Sequence, residues 1–132
     1  MYTRKLQKDI RCPLEHGLEI FGGKWKSRII CVLGSCPNSR YSFIREQMGN
    51  ITDAVLSASL KELISFQIVS RVSYDEIPPR VEYTLTDKGR SVLPILRSIC
   101  HWSGLFFKNH TEGERMIQCR KCDYVEGEKN DS

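Results

Sequence analysis

Residues 42–66 read SFIREQMGNITDAVLSASLKELISF, and this stretch decides the fold. It predicts a short helix from about Ser42 to Met48, followed by a tight turn at Gly49-Asn50. Thr52 is a suitable N-cap for a longer helix that runs to about Phe66. A short helix joined by a tight turn to a longer one is the pattern of a helix-turn-helix motif.

The longer helix has one apolar face and one face of small or polar residues. The apolar face carries Val55, Leu56, Leu60, Leu63 and Ile64 at helical spacing. The opposite face carries Asp53, Ala54, Ser57, Ala58 and Lys61. Because the major groove is only about 12 Å wide, a helix that enters it needs a small or polar outer face. We therefore predict that these five residues, together with the cap Thr52, contact DNA.

The residue pattern changes from helical to alternating directly after this helix. Residues 68–74 and 80–85 are rich in β-branched and aromatic side chains, and residues 75–79 form a turn between them. The sequence thus predicts a β-hairpin that would act as a wing beside the helix-turn-helix. Arg80, which we place at the base of the hairpin, and Arg71 on its first strand would contact phosphates.

Two helices are predicted before this motif and one after it. The first begins at Pro13 and ends at Gly22-Gly23, and the second covers Lys24 to Leu33. The last is predicted from Thr86 to Lys108, with a kink or early turn at Pro94. This helix is apolar nearly all round, so we predict that it forms a homodimer interface. The fold class is mainly α with a small β-hairpin, a winged helix-turn-helix with a C-terminal dimerisation helix.

The 132 residues are enough for one domain plus a tail, and the formal net charge is +4. We divide the chain into a basic arm (residues 1–11), the winged-helix domain (12–108) and a polar tail (109–132). The basic excess lies in residues 1–110, and the tail is mildly acidic. Neither a signal peptide nor an apolar segment long enough to cross a membrane is recognisable, so we expect a cytoplasmic protein.

The chain resembles the HxlR-type regulators, a branch of the winged-helix proteins related to the MarR group. Four segments carry the resemblance: Cys12-Pro-Leu14, Gly22-Gly-Lys-Trp25, the stretch from Leu56 through Leu63 to Arg71, and Pro78-Pro-Arg-Val-Glu-Tyr-Thr-Leu-Thr-Asp-Lys-Gly-Arg90. The resemblance implies a dimer that binds double-stranded operator DNA and represses or activates transcription.

Two parts of the chain depart from the pattern of that family. Family members often carry longer polar side chains where this chain has residues such as Asp53 and Ala54. Asp53 would repel phosphate unless it accepts a hydrogen bond from cytosine N4. Phe66-Gln67 replaces the acidic residue and glycine expected after the helix.

Cys12 is the candidate redox-sensing residue among the six cysteines. It stands at a predicted helix start, where the helix dipole favours a thiolate, and Arg11 is adjacent. A thiolate reacts with oxidants and electrophiles. The resemblance points the same way, since some relatives sense through a cysteine here. An unreactive capping residue is the alternative.

Cys119 and Cys122 form a single C-x-x-C in the tail. A second such pair would indicate a zinc site, so we interpret this one first as unligated, with zinc binding or a dithiol switch as alternatives. The winged-helix domain itself requires no cofactor.

The residues bear on three classes of function. A sequence-specific DNA-binding regulator is favoured, and a winged-helix module that binds protein instead of DNA is the alternative. An enzyme is disfavoured because the sequence lacks a recognisable catalytic triad, carboxylate pair or phosphate-binding loop.

Overall fold

The computed structural model describes residues 11–104. Its elements follow one another in the predicted order, with the last predicted helix divided in two. They are α1 (Pro13–Phe21), α2 (Lys26–Ser35), α3 (Tyr41–Met48), α4 (Asp53–Ser65), β1 (Val69–Tyr74), β2 (Arg80–Leu85), α5 (Asp87–Arg90) and α6 (Leu93–Gly104). This order is that of a winged helix-turn-helix, mainly α with a small β-hairpin, as predicted.

The core lies between the helices and the base of the hairpin. Aliphatic side chains from almost every element meet there, and several are completely buried: Ile29, Ile30, Ile44, Leu56 and Leu63. Side chains of this size each stabilise the fold by about 1.5–3 kcal/mol when they leave water. This shared core holds α3 and α4 at one fixed angle, which a helix-turn-helix needs.

The hairpin is a two-stranded antiparallel sheet. Its register pairs Val69 with Leu85 at the end near the core and Tyr74 with Arg80 at the turn. A bridge of two backbone hydrogen bonds between Ser39 and Tyr83, 2.9 and 2.8 Å long, ties β2 to the loop before α3. The wing is therefore joined to the helix-turn-helix through both strands, since β1 follows α4 and β2 is bridged to the loop before α3.

Residues 86–89, which follow the wing, connect the end of α4 to the hairpin. Thr86 caps α5 by accepting from Gly89 N at 3.0 Å, and its hydroxyl also donates to Gln67 O at 2.6 Å. Lys88 Nζ donates to Phe66 O at 3.0 Å, at the C-terminal end of α4. A Cβ on Gly89 would lie 2.2 Å from Ile68 O, so this close approach requires glycine. Thr86, Lys88 and Gly89 therefore have structural roles.

Two predictions about these elements are wrong. A single helix from Thr86 to Lys108 does not form, because the chain turns at residues 91–92 between α5 and α6. Pro94, the second residue of α6, suits a helix start, where its missing N–H is harmless. Residues 105–108 of the predicted helix lie outside the described part of the chain. Arg80 stands at the turn end of the hairpin and not at its base.

Candidate nucleic-acid interface

Helix α4 is fixed at both ends and on its inner side. Its N-cap Thr52 accepts a hydrogen bond from Val55 N at 3.3 Å, as predicted. Lys26 Nζ lies 3.3 Å from Glu62 Oε2 and donates to Glu19 O at 2.6 Å, so one lysine of α2 joins α4 to α1. A helix held this firmly presents its outer face at a defined position.

The outer face of α4 is the one that the sequence predicted. Six exposed side chains lie on it: Thr52, Asp53, Ala54, Ser57, Ala58 and Lys61. Leu56, Leu60 and Leu63 are buried on the inner face. Val55, predicted to be on the inner face, is 37% exposed and borders the outer face instead. Lys61 is exposed on this face, so its ammonium group is accessible from solvent.

Asp53 is engaged by two side chains of α3. Its Oδ1 lies 2.9 Å from Arg45 Nε and accepts a hydrogen bond from the Tyr41 hydroxyl at 3.0 Å. The same hydroxyl lies 3.4 Å from Ser57 Oγ, one turn further along α4. Tyr41 and Arg45 are not among the residues predicted from the sequence. Their four-residue spacing, which puts both on one face of the helix before the turn, was the available signal.

The two wing arginines differ in their surroundings. Arg71 is exposed, and its Nη1 donates to the Ser73 hydroxyl at 3.3 Å. Arg80 Nε lies 3.2 Å from Glu76 Oε2 and 3.5 Å from Glu82 Oε2, and its guanidinium stacks over Tyr74 at 4.1 Å. The charge of Arg80 is thus largely balanced within the wing, whereas that of Arg71 faces solvent.

Cys12 stands at the N-cap of α1 and is exposed. Its Sγ lies 3.9 Å from Glu15 Oε1, and the other oxygen of that carboxylate accepts from Arg11 N at 3.3 Å. Cys31, Cys36 and Cys100 are half-buried. Cys119 and Cys122 lie outside the described residues, and within 11–104 no three potential ligands cluster as a metal site would require.

An apolar stripe on α6 faces solvent. Ile95, Ile99 and Trp102 recur at helical spacing and are 48%, 46% and 65% exposed. Leu14 and Leu18 on α1 are exposed as well. Exposed apolar patches of this kind mark interaction surfaces. Within residues 11–104, each helix is too short or too polar to span a lipid bilayer.

A helix-turn-helix whose second helix exposes small polar residues, followed by a hairpin, defines the winged-helix class of DNA-binding proteins. The family model described as HxlR-like helix-turn-helix matches residues 20–111. The chain belongs to this family, as the resemblance in the sequence indicated.

Comparison with known proteins agrees with this assignment. An uncharacterized HTH-type transcriptional regulator of Methanothermobacter thermautotrophicus is 43% identical over 101 residues, covering 76% of each chain. The oxidized form of the redox regulator HypR has a TM-score of 0.66 at 35% identity and covers 70% of this chain and 95% of its own. The reduced form of the regulator YodB from B. subtilis has a TM-score of 0.68 at 31% identity, covering 77% and 100%. The prediction of a transcription regulator and not an enzyme is confirmed.

Proposed function

We propose that the protein is a dimeric, sequence-specific DNA-binding regulator that reads the major groove with α4 and contacts the flanking backbone with its wing. The observation that carries the proposal is the exposed small polar face of α4, held rigid by Thr52, Lys26 and Lys88. Thr52, Ala54, Ser57, Ala58 and Lys61 would face the bases, and Arg71 would contact phosphate. Action on chromosomal operators would place the protein in the cytoplasm.

The proposal is tested by fluorescence anisotropy on duplex DNA across a salt series. The labelled duplex comes from upstream of the gene itself, with a random-sequence duplex as competitor. We expect salt-dependent binding that resists the competitor. Lys61→Ala should weaken it by about tenfold, in keeping with the loss of a contact worth about 1–3 kcal/mol. Lys24→Ala, which removes the same charge from the loop between α1 and α2, should leave it nearly unchanged.

The opposite result has a clear meaning. If neither duplex shows salt-sensitive binding, the proposed function is wrong, and a winged-helix module that binds protein becomes the favoured function. The balanced charges of Asp53 and Arg80 are the structural observations that would suit such a module.

The dimer would form through α6, with the partner copy covering Ile95, Ile99 and Trp102. Burying these side chains removes from water the most extended exposed apolar stripe of the described residues. A dimer also suits operator DNA, since two recognition helices about 34 Å apart are needed to occupy successive major grooves.

Cys12 would make DNA binding sensitive to oxidants. Its exposure at a helix N-terminus leaves the sulfur accessible, and two of the structurally similar proteins are HypR, described as a redox regulator, and YodB. We expect hydrogen peroxide, which oxidises a single thiolate to a sulfenic acid and is itself reduced to hydroxide, to lower the DNA affinity of the wild-type protein by about fivefold or more.

The matched variants are Cys12→Ser and Cys36→Ser, each of which removes one thiol. Cys12→Ser should bind DNA equally well before and after the oxidant, whereas Cys36→Ser should respond like the wild type. A Cys12→Ser protein that still loses affinity on oxidation would remove Cys12 from the sensing role. The anisotropy assay described above measures this directly.

A further inference from the structure

The ion pair between Arg45 and Asp53 joins the two helices of the helix-turn-helix at its outer surface. The Nε–Oδ1 distance is 2.9 Å, and the two side chains are 51% and 66% exposed. Exposed ion pairs contribute little to the stability of a protein, because water already solvates both charges well. Another anion can therefore replace the Asp53 carboxylate at modest expense of folding free energy.

An open groove lies beside this pair. It is lined by Tyr41, Ser42, Arg45, Glu46, Gly49 and Asp53. The groove is on the side of α3 that borders the outer face of α4, because the Tyr41 hydroxyl contacts both Asp53 and Ser57 there. In helix-turn-helix proteins the first helix crosses the DNA backbone while the second lies in the groove. A backbone phosphate would thus approach Arg45.

We propose that Arg45 is a phosphate-binding residue and that Asp53 competes with DNA for it. In the free protein the guanidinium pairs with Asp53, and on DNA it exchanges that partner for a phosphate oxygen. This inference rests on the proposed DNA-binding function and goes beyond it, since it gives Asp53 a role other than base reading.

The competition affects the overall affinity for DNA. Each DNA sequence offers the same phosphates, so the exchange with Asp53 weakens binding to every duplex equally. The ratio between specific and non-specific affinity is therefore left unchanged by the exchange. Asp53 thus acts through Arg45 and lowers the affinity for all duplexes.

The test is a double-mutant cycle on a random-sequence duplex, with Asp53→Asn, Arg45→Gln and the two combined. Arg45→Gln should weaken binding several-fold and make the slope of log K against log salt shallower by about 0.9, the loss of one phosphate contact. Asp53→Asn should strengthen binding several-fold. It should have little effect when Arg45 is already glutamine, because the gain comes from releasing Arg45.

Asp87→Asn is the matched control. Asp87, like Asp53, is the first residue of a helix, follows a threonine N-cap and pairs with an arginine, in this case Arg90. It lies beyond the wing, on a different helix from the proposed contact, so its substitution should leave the salt slope unchanged. Circular dichroism of each variant, compared with the wild type, verifies that the fold is retained.

Three results would overturn the inference while leaving the regulator intact. The first is an unchanged salt slope in Arg45→Gln. The second is an equal gain from Asp53→Asn in both backgrounds, which would indicate general charge repulsion. The third is a loss of affinity in Asp53→Asn confined to duplexes with cytosine at one position, which would assign Asp53 to base reading. Absence of wild-type binding to any duplex would instead contradict the proposed function itself.

Discussion

Gln67 stands at a position where the family pattern leads us to expect glycine. It follows α4 with a φ of +62°, the left-handed conformation that helix C-termini usually give to glycine. Its N–H donates to Ile64 O at 2.9 Å, and its carbonyl accepts from the Thr86 hydroxyl, so the conformation is held by contacts on both sides. The glycine expected from the sequence comparison would adopt this backbone without steric strain.

We therefore expect Gln67→Gly to stabilise the protein by about 1 kcal/mol, the strain of a side chain in the left-handed region. The melting temperature should rise by roughly 5 °C, measured by circular dichroism. Gln67→Ala, which keeps the Cβ, should give no such rise. A glycine variant that melts at or below the wild-type temperature would show that the glutamine side chain compensates for its strained backbone.

At the scale of elements, predictions from the sequence succeeded where the signals were local. Thr52 and the turn at Gly49-Asn50 determined the start of α4, and the alternating pattern predicted both strands. The prediction of one long final helix failed because contacts with distant parts of the chain divide it. Gly89 packs against Ile68 O. Leu93 packs so closely on Gly34 of α2 that a Cβ added to Gly34 would lie 2.7 Å from the Leu93 side chain. These contacts with distant elements position α5 and α6 separately.

The interface residues show the same division between local and non-local information. Helical spacing was sufficient to identify the outer face of α4, since burial follows periodicity. The partner of Asp53 could not be predicted, because it lies on another helix, α3. Arg80, in contrast, pairs with Glu76 in the hairpin turn and Glu82 on its own strand. The charges that remain available to DNA therefore depend on the contacts that form when the elements pack together.

At the scale of the whole molecule, the apolar stripe of α6 determines whether two recognition helices act together. In a symmetric dimer each substitution on this stripe occurs twice in the interface. Ile99 is 46% exposed in the single chain, so covering it contributes only about half of the roughly 1.5–3 kcal/mol of a complete burial. Loss of Ile99 from both copies therefore removes about 1.5–3 kcal/mol. A carboxylate in its place adds a desolvation penalty.

Ile99→Asp should accordingly raise the dimer dissociation constant by more than about a hundredfold. Sedimentation equilibrium measures this, and a loss of the blue-shifted component of tryptophan fluorescence from Trp102 should accompany it. His101→Asp places the same charge on the polar side of α6 and should remain dimeric. If Ile99→Asp also stays dimeric with an unchanged dissociation constant, the dimer interface lies elsewhere. Because a monomer offers one recognition helix to one half-site, DNA affinity should fall together with dimerisation in Ile99→Asp and in no control.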